Sequence, residues 1–394
     1  MRTESQNISD LPQPDAQSMN MSEQLTAVIR EEIEACGGCI TFARFMELAL
    51  YAPGLGYYVA GLRKFGESGD FVTAPEISPM FSYCLARQCA QVLEALGGGS
   101  ILEFGAGSGI MASDILAELE RCNQLPQKYR VLEVSGELRE RQRETIQQRV
   151  PHLLDRVEWL DQLPADRFQG VVLANEVLDA MPVHRFRKEL QGLSEVCVSW
   201  DVDRFVWTYT PPTQELASWE LPGDVPALPA GYESEVNLSL SPWIASLSET
   251  LSAGVMLLID YGFPSHEYYH PQRGTGTLMC HYRHRAHPDP LILTGLQDIT
   301  AHVDFTAVAE AAHKAGMDVA GFTSQAYFLL SLGLTEMVAD TDAAVTRQQI
   351  ETARQIKLLT LPSEMGELFK VIALCKNTEL PLAGFSMHDQ RGRL

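Results

Sequence analysis

Ile101-Leu102-Glu103-Phe104-Gly105-Ala106-Gly107-Ser108-Gly109 decides the fold. The apolar run predicts a short buried strand, three glycines at alternate positions predict a turn, and a helical pattern opens at Ile110 and runs to about Leu119. Glycine after a strand lets the backbone take dihedrals closed to other residues and lets a ligand approach the main chain. Glu103, two residues before the first glycine, sets a carboxylate where a cationic or hydroxyl-bearing ligand would meet it. The spacing G-x-G-x-G has no glycine at 110, so it departs from the dinucleotide fingerprint G-x-G-x-x-G, and no Walker lysine follows. A ligand-free glycine turn is the plain structural alternative.

The next strand narrows the reading. Val131-Leu132-Glu133-Val134 is apolar and ends at an acid, and a polar helix follows from Leu138 to Arg149. In doubly wound sheets an acid at the end of the second strand accepts hydrogen bonds from a ribose. Glu133 lies 24 residues after Gly109, near the ~20 expected for that role. A solvated strand-end charge is the alternative.

Strands are predicted at 100–104, 130–134, 156–160, 170–174, 254–260, 318–323 and 368–376, and helices at 110–121, 137–149, 241–252 and 304–315. Such alternation implies an α/β fold with a mostly parallel, seven-stranded sheet, helices on both faces, and the ligand crevice at the strand ends. Before this core, 1–21 reads as a disordered tail and 22–98 as a helical or lid region; after it, 377–394 reads as a tail. Three insertions interrupt the core: a β-rich one at 185–240, a loop-like one at 263–300 and a helical one at 325–367.

Composition sets bounds. The chain has 394 residues, 45% of them hydrophobic, enough for a sizeable core. A net charge of −21 excludes a general nucleic-acid binder, because phosphate attracts Lys and Arg. No apolar run reaches the ~18 residues of a membrane span, so no membrane insertion is expected. Met1–Asn20 is polar, without the apolar core of a secretion signal or the arginines of a mitochondrial presequence; with eight scattered cysteines, this places the chain in the cytoplasm. Cys36-Gly37-Gly38-Cys39 follows a helical segment, and its glycines read as a helix stop. In His281-Tyr282-Arg283-His284-Arg285-Ala286-His287 the arginines oppose cation binding, so the histidines read as exposed or partner-contacting and no metal is expected.

Two further runs carry polar groups. Asn175-Glu176-Val177-Leu178-Asp179 follows the fourth core strand and faces the crevice in this architecture. Glu176 and Asp179, three apart, would share a face on one helical turn, where a carboxylate can orient a cationic acceptor or take its proton. Helix capping by Asn175, with two acids at a helix N-terminus, is the alternative. Gly69-Asp70-Phe71-Val72-Thr73-Ala74-Pro75-Glu76-Ile77-Ser78-Pro79 reads as a loop ending in a cap: Thr73 or Ser78 would cap, Pro75 or Pro79 would start a helix, and Glu76 would complement its dipole. Its position also suits a lid.

Together these segments resemble a known family. Phe45–Tyr58, Gly69–Pro79, the 103–109 loop, Asn175–Val183, Ile259-Asp260-Tyr261-Gly262, and Arg273-Gly274-Thr275 onward to Phe305 are similar to the MidA-type S-adenosylmethionine (SAM)-dependent methyltransferases. These are bacterial and mitochondrial proteins whose mitochondrial member assists respiratory complex I assembly. An extra Gly276-Thr277 after Gly274-Thr275 departs from the pattern but does not touch the glycine loop. The resemblance implies a class I methyltransferase (Rossmann-like) fold with SAM as cofactor and, from the mitochondrial relative, symmetric dimethylation of an arginine in a protein substrate. The cofactor site is expected at Glu103, Gly105, Ala106, Gly107, Gly109, Glu133 and Asn175, and Glu176, Asp179 and Glu76 are the expected catalytic carboxylates. A non-catalytic assembly factor that retains the fold is the alternative function, and a dehydrogenase is disfavoured by the third glycine. The oligomeric state is left open.

Overall fold

Consecutive apolar side chains, as in Val171–Ala174 and Val255–Ile259, mark the central strands as buried on both faces. In the computed structural model, which describes residues 11–60, 73–223, 225, 227–339 and 347–394, Ser100–Phe104 forms strand β1 and is buried throughout. Six further strands of its sheet are β2 (Tyr129–Leu132), β3 (Val157–Leu160), β4 (Phe168–Asn175), β5 (Leu251–Phe263), β6 (Asp318–Ser324) and β7 (Phe369–Lys376). Their order across the sheet is β6-β7-β5-β4-β1-β2-β3. The strands β3, β2, β1, β4 and β5 run parallel, and β7 pairs antiparallel with both β5 and β6. All seven predicted strands are present, each with its ends within a few residues of the prediction.

Helices cover both faces. On one, Ile101, Val171, Leu173, Val255 and Leu257 join a core with Phe81, Leu85 and Cys89 of helix α1 (Pro79–Ala95) and Ile115 and Leu119 of α2 (Ile110–Arg121). The opposite face, with Leu102, Val172, Ala174, Met256 and Leu258, is equally buried. There Trp243 of α4 (Leu240–Thr250) meets the Phe104 ring edge-on at 5.4 Å. Two further helices, α3 (Gly136–Arg149) and α5 (Phe305–Lys314), complete the predicted set. Losing one such aliphatic side chain, as in Ile101→Ala, costs about 2–5 kcal/mol.

The order reverses between β1 and β4, whose neighbours lead away on opposite sides. At such a switch point the loops leaving two adjacent strands diverge and open a crevice beyond their carboxyl ends. The glycine loop leaves β1 there, Glu133 follows β2, and Glu176 follows β4.

The chain divides into two units. The one just described holds 72–178, 241–262 and 305–394. It includes α1, which the sequence reading grouped with the N-terminal region, and the segment 377–394, where Phe385 meets Phe328 at 5.4 Å and the Gly384 N–H donates to Gln88 at 2.9 Å. The other unit gathers 1–71, 179–240 and 263–304. Within it, Cys39–Thr41, Leu193–Asp201, His184–Lys188 and Glu233–Val236 lie side by side in an antiparallel sheet, with Arg204–Thr210 paired to Leu193–Asp201.

Three expectations are corrected. The first helix begins at Ala16, inside the stretch 1–21 expected to be a disordered tail, because the Asp15 carboxylate caps it by accepting from the Ser18 N–H at 2.9 Å. The stretch 263–300, expected to be loop, also carries a small sheet: Met279–Tyr282 pairs with Arg285–His287 and Asp298–Thr300. Its hairpin turn holds Arg283 and His284 at φ 48° and 61°, a conformation usually signalled by Asn or Gly, so the sequence hid it. In the same run His287 is buried, not exposed, and burial lowers the pKa of both His281 and His287; of the three histidines only His284 is exposed. Of the Gly69–Pro79 run, Gly69 to Val72 lie outside the described residues. From there Thr73 leads into a short helix, Ala74–Ile77, and Ser78 caps α1 through the Met80 N–H at 3.4 Å.

Candidate functional site

Gly105, Gly107 and Gly109 all adopt positive φ, at 59°, 53° and 82°, so the alternation of glycines is a conformational requirement. Their surroundings differ. A β-carbon on Gly109 would stand 2.9 Å from the Gln142 Cα, and one on Gly105 would meet Val177 at 3.6 Å. On Gly107 it would meet no heavy atom within 4 Å beyond its chain neighbours, among the described residues. Gly109 thus brings α3 against the loop, and Gly107 leaves bare main chain exposed to a ligand. Gly109 also opens α2, whose N-terminal N–H groups favour negative or polar ligand groups.

Two buried carboxylates flank this loop. Glu103 accepts from the Tyr129 hydroxyl at 2.6 Å through Oε2, while its buried Oε1 has no hydrogen-bond partner among the described residues. Burial pushes its pKa up to about 7, against the lowering effect of the Tyr129 bond. Glu133 accepts from the Ser135 N–H at 3.0 Å and from Gln142 Nε2 at 3.0 Å. Burial raises its pKa as well, and these two bonds pull it back. Arg139 donates through Nε to the Glu133 carbonyl at 2.7 Å and through Nη2 to the Leu160 carbonyl at 2.8 Å, fixing the ends of β2 and β3 together. Glu76 accepts from the Ser108 hydroxyl, which joins the helix 74–77 to the loop.

Beyond β4 the backbone departs from expectation. Asn175 is the last residue of β4, and no helix follows, so Glu176 and Asp179 do not share a helical face and Asn175 caps nothing. The turn is tied to β5 instead: the Leu178 N–H donates to Asp260 Oδ2 at 3.0 Å and the Glu176 N–H to the Ile259 carbonyl at 2.9 Å. Glu176 is held at φ 53°, which costs a non-glycine residue about 1–3 kcal/mol and recurs at ligand sites. Asn175 donates to Glu176 Oε1 at 3.2 Å, and its own buried Oδ1 has no hydrogen-bond partner among the described residues. Asp179 belongs to the other unit, where it is buried and its carbonyl accepts from the Ala301 N–H at 3.0 Å.

The first unit therefore brings together Glu76, Glu103, Gly105, Ala106, Gly107, Gly109, Glu133, Asn175 and Glu176 around the carboxyl ends of β2, β1 and β4. An adenosyl ligand fits what these residues offer: open main chain at Gly107, and two buried acceptors, Glu103 Oε1 and Asn175 Oδ1, with capacity to spare. Sequence reasoning missed Gln142, which bridges Glu133 and the loop, and the role of Asp260 in shaping the turn after β4.

A family model described as "Putative S-adenosyl-L-methionine-dependent methyltransferase" matches residues 84–323. The chain belongs to this methyltransferase family. A Burkholderia thailandensis protein crystallised with bound S-adenosyl-homocysteine is 46% identical to it, with a TM-score of 0.93, over 98% of this chain and 100% of that one. Among curated relatives, the mitochondrial protein arginine methyltransferase NDUFAF7 of Homo sapiens is 30% identical over 381 residues, 87% of this chain and 81% of the relative. The namesake from Danio rerio is 28% identical over 395 residues, 89% of each chain. The methyltransferase uses SAM, and its fold is of class I, as the sequence implied. No described helix of the methyltransferase is long and apolar enough to cross a membrane.

Proposed function

We propose that this chain methylates arginine side chains of a protein substrate. The observation that carries the proposal is the pairing of an open glycine main chain at Gly107 with strand-end acids on either side, Glu133 after β2 and the strained Glu176 after β4. The names of the curated relatives supply the arginine.

In this reading Gly105, Ala106, Gly107 and Gly109 lie along the cofactor, Glu133 accepts from the ribose hydroxyls, and Glu103 and Asn175 take its remaining donors. When bound, SAM supplies a methyl group on a cationic sulfur, already reactive toward a nitrogen lone pair. The chain's task is then to position and to exclude water. An arginine stays protonated at neutral pH, so it must be held by carboxylates and must lose a proton as its nitrogen is alkylated. Glu176 is the first choice for that carboxylate, because its backbone is strained and its side chain is oriented by Asn175. Glu76 is the second, anchored to the loop through Ser108. Asp179 is the third. The cytoplasm, read from the sequence, is part of the proposal, whereas the curated relatives are named mitochondrial.

The test is transfer of methyl-tritiated SAM into protein of an extract lacking this chain, followed by acid hydrolysis and amino-acid analysis. Label in methylarginine supports the proposal. Label in another amino acid overturns the acceptor. No label, with SAM bound, turns the reading toward a non-catalytic assembly factor.

A further inference from the structure

Helix α3 is rich in charged residues, and its two buried side chains, Gln142 and Ile146, stand four apart on one stripe. A fully buried glutamine there must satisfy both ends of its amide, and it does so with three different elements. Trp159 of β3 donates its indole N–H to Gln142 Oε1 at 2.9 Å. Because an indole N–H only donates, this contact fixes which end of the amide is oxygen. The NH2 end then donates to Glu133 Oε2 at 3.0 Å and to the Gly107 carbonyl at 3.1 Å, one hydrogen to each.

One planar group thus ties the carboxylate after β2 to the main chain of the glycine loop. With Ser135 on Oε1 and Gln142 on Oε2, the Glu133 carboxylate is held by both oxygens and cannot turn about its last bond. Its remaining lone-pair sites are thereby fixed in direction before any ligand arrives. Holding an acceptor in its bound orientation removes an ordering cost from binding.

We propose that Gln142 is a positioning residue for the cofactor: acting through Glu133 and the Gly107 carbonyl, it fixes the carboxylate against the ribose hydroxyls and so sets how strongly the protein requires them. The proposal rests on the reading of Glu133 as the ribose acceptor.

The experiment is a calorimetric double-mutant cycle on the full chain with Gln142→Leu, Glu133→Gln and the double variant, titrated with S-adenosylhomocysteine and with its 2′-deoxy analogue. Gln142→Leu is expected to weaken S-adenosylhomocysteine about tenfold and the deoxy analogue by no more than about twofold, and to add nothing in the Glu133→Gln background. Trp159→Phe, which frees the amide to flip while leaving Gln142 in place, is expected to shift the same hydroxyl preference in the same direction, and it replaces Gln142→Leu if that variant does not fold. Equal losses for both ligands, additive with Glu133→Gln, make Gln142 merely structural and overturn the inference. If Glu133→Gln alone leaves affinity unchanged, the ribose reading itself fails. If Glu133→Gln weakens binding but no coupling to Gln142 is seen, only the inference fails.

Discussion

Gly109 and Gln142 approach so closely that a β-carbon on the glycine would stand 2.9 Å from the glutamine's Cα. Gly107, two residues earlier, shares the left-handed backbone but meets none of the described residues where a β-carbon would stand. Alanine at the two positions is therefore expected to separate folding from binding. Gly109→Ala should lower the melting temperature sharply, since backbone must move. Gly107→Ala should cost only the left-handed strain, about 1–2 kcal/mol, yet lose most of its affinity for S-adenosylhomocysteine. Thermal denaturation with and without the ligand checks both. Equal behaviour of the two variants would contradict the assignment of their roles.

Glu103 carries a cost that depends on pH. Its folded pKa is raised from 4.5 to about 7, so between these values the native state holds a proton that the unfolded chain has released. Below about pH 4.5 both states are protonated and stability is unaffected. As pH rises toward 7 stability falls, and above 7 the penalty is complete, roughly 3 kcal/mol at about 1.4 kcal/mol per pH unit. Glu103→Gln, measured by urea denaturation, should therefore be more stable relative to the parent at pH 8 than at pH 5, while binding S-adenosylhomocysteine less tightly. A difference in stability that stays flat across this range would show that the buried carboxyl is not the source.

Glu176 should report on chemistry and not on cofactor affinity. Glu176→Gln keeps the side chain's length and removes its charge, so kcat for methyl transfer is expected to fall by about 10²–10⁴ while the Kd for S-adenosylhomocysteine changes less than about twofold. Stopped assays with labelled SAM, alongside calorimetry, separate the two. A fall in affinity with kcat preserved would move Glu176 from the acceptor to the cofactor.

The strands and the glycine loop were legible because both are written locally. Continuous apolar runs such as Val171–Ala174 have no other place to go than a sheet covered on both faces, and G-x-G-x-G has no helical or strand alternative. The place of Glu133 just past the end of β2 was legible from the apolar run before it. Features set by long-range contacts were not. The turn 176–179 reads as helical from its own residues, yet in the fold it is tied by the Leu178 N–H to Asp260, 82 residues away. Gln142 lies in a polar helix and looked like a surface residue, although its spacing of four from Ile146 put it on the buried stripe and was the available signal. The hairpin at 279–287 was hidden by an Arg-His turn in place of Asn-Gly.

The most direct test of the account is a crystal structure of this chain with S-adenosylhomocysteine. The ribose hydroxyls are expected within about 2.6–3.2 Å of the Glu133 carboxylate oxygens, with the ligand's backbone contacts at Gly105 to Gly107. A ligand whose ribose lies beyond reach of Glu133, or a glycine loop that touches no ligand atom, would contradict it.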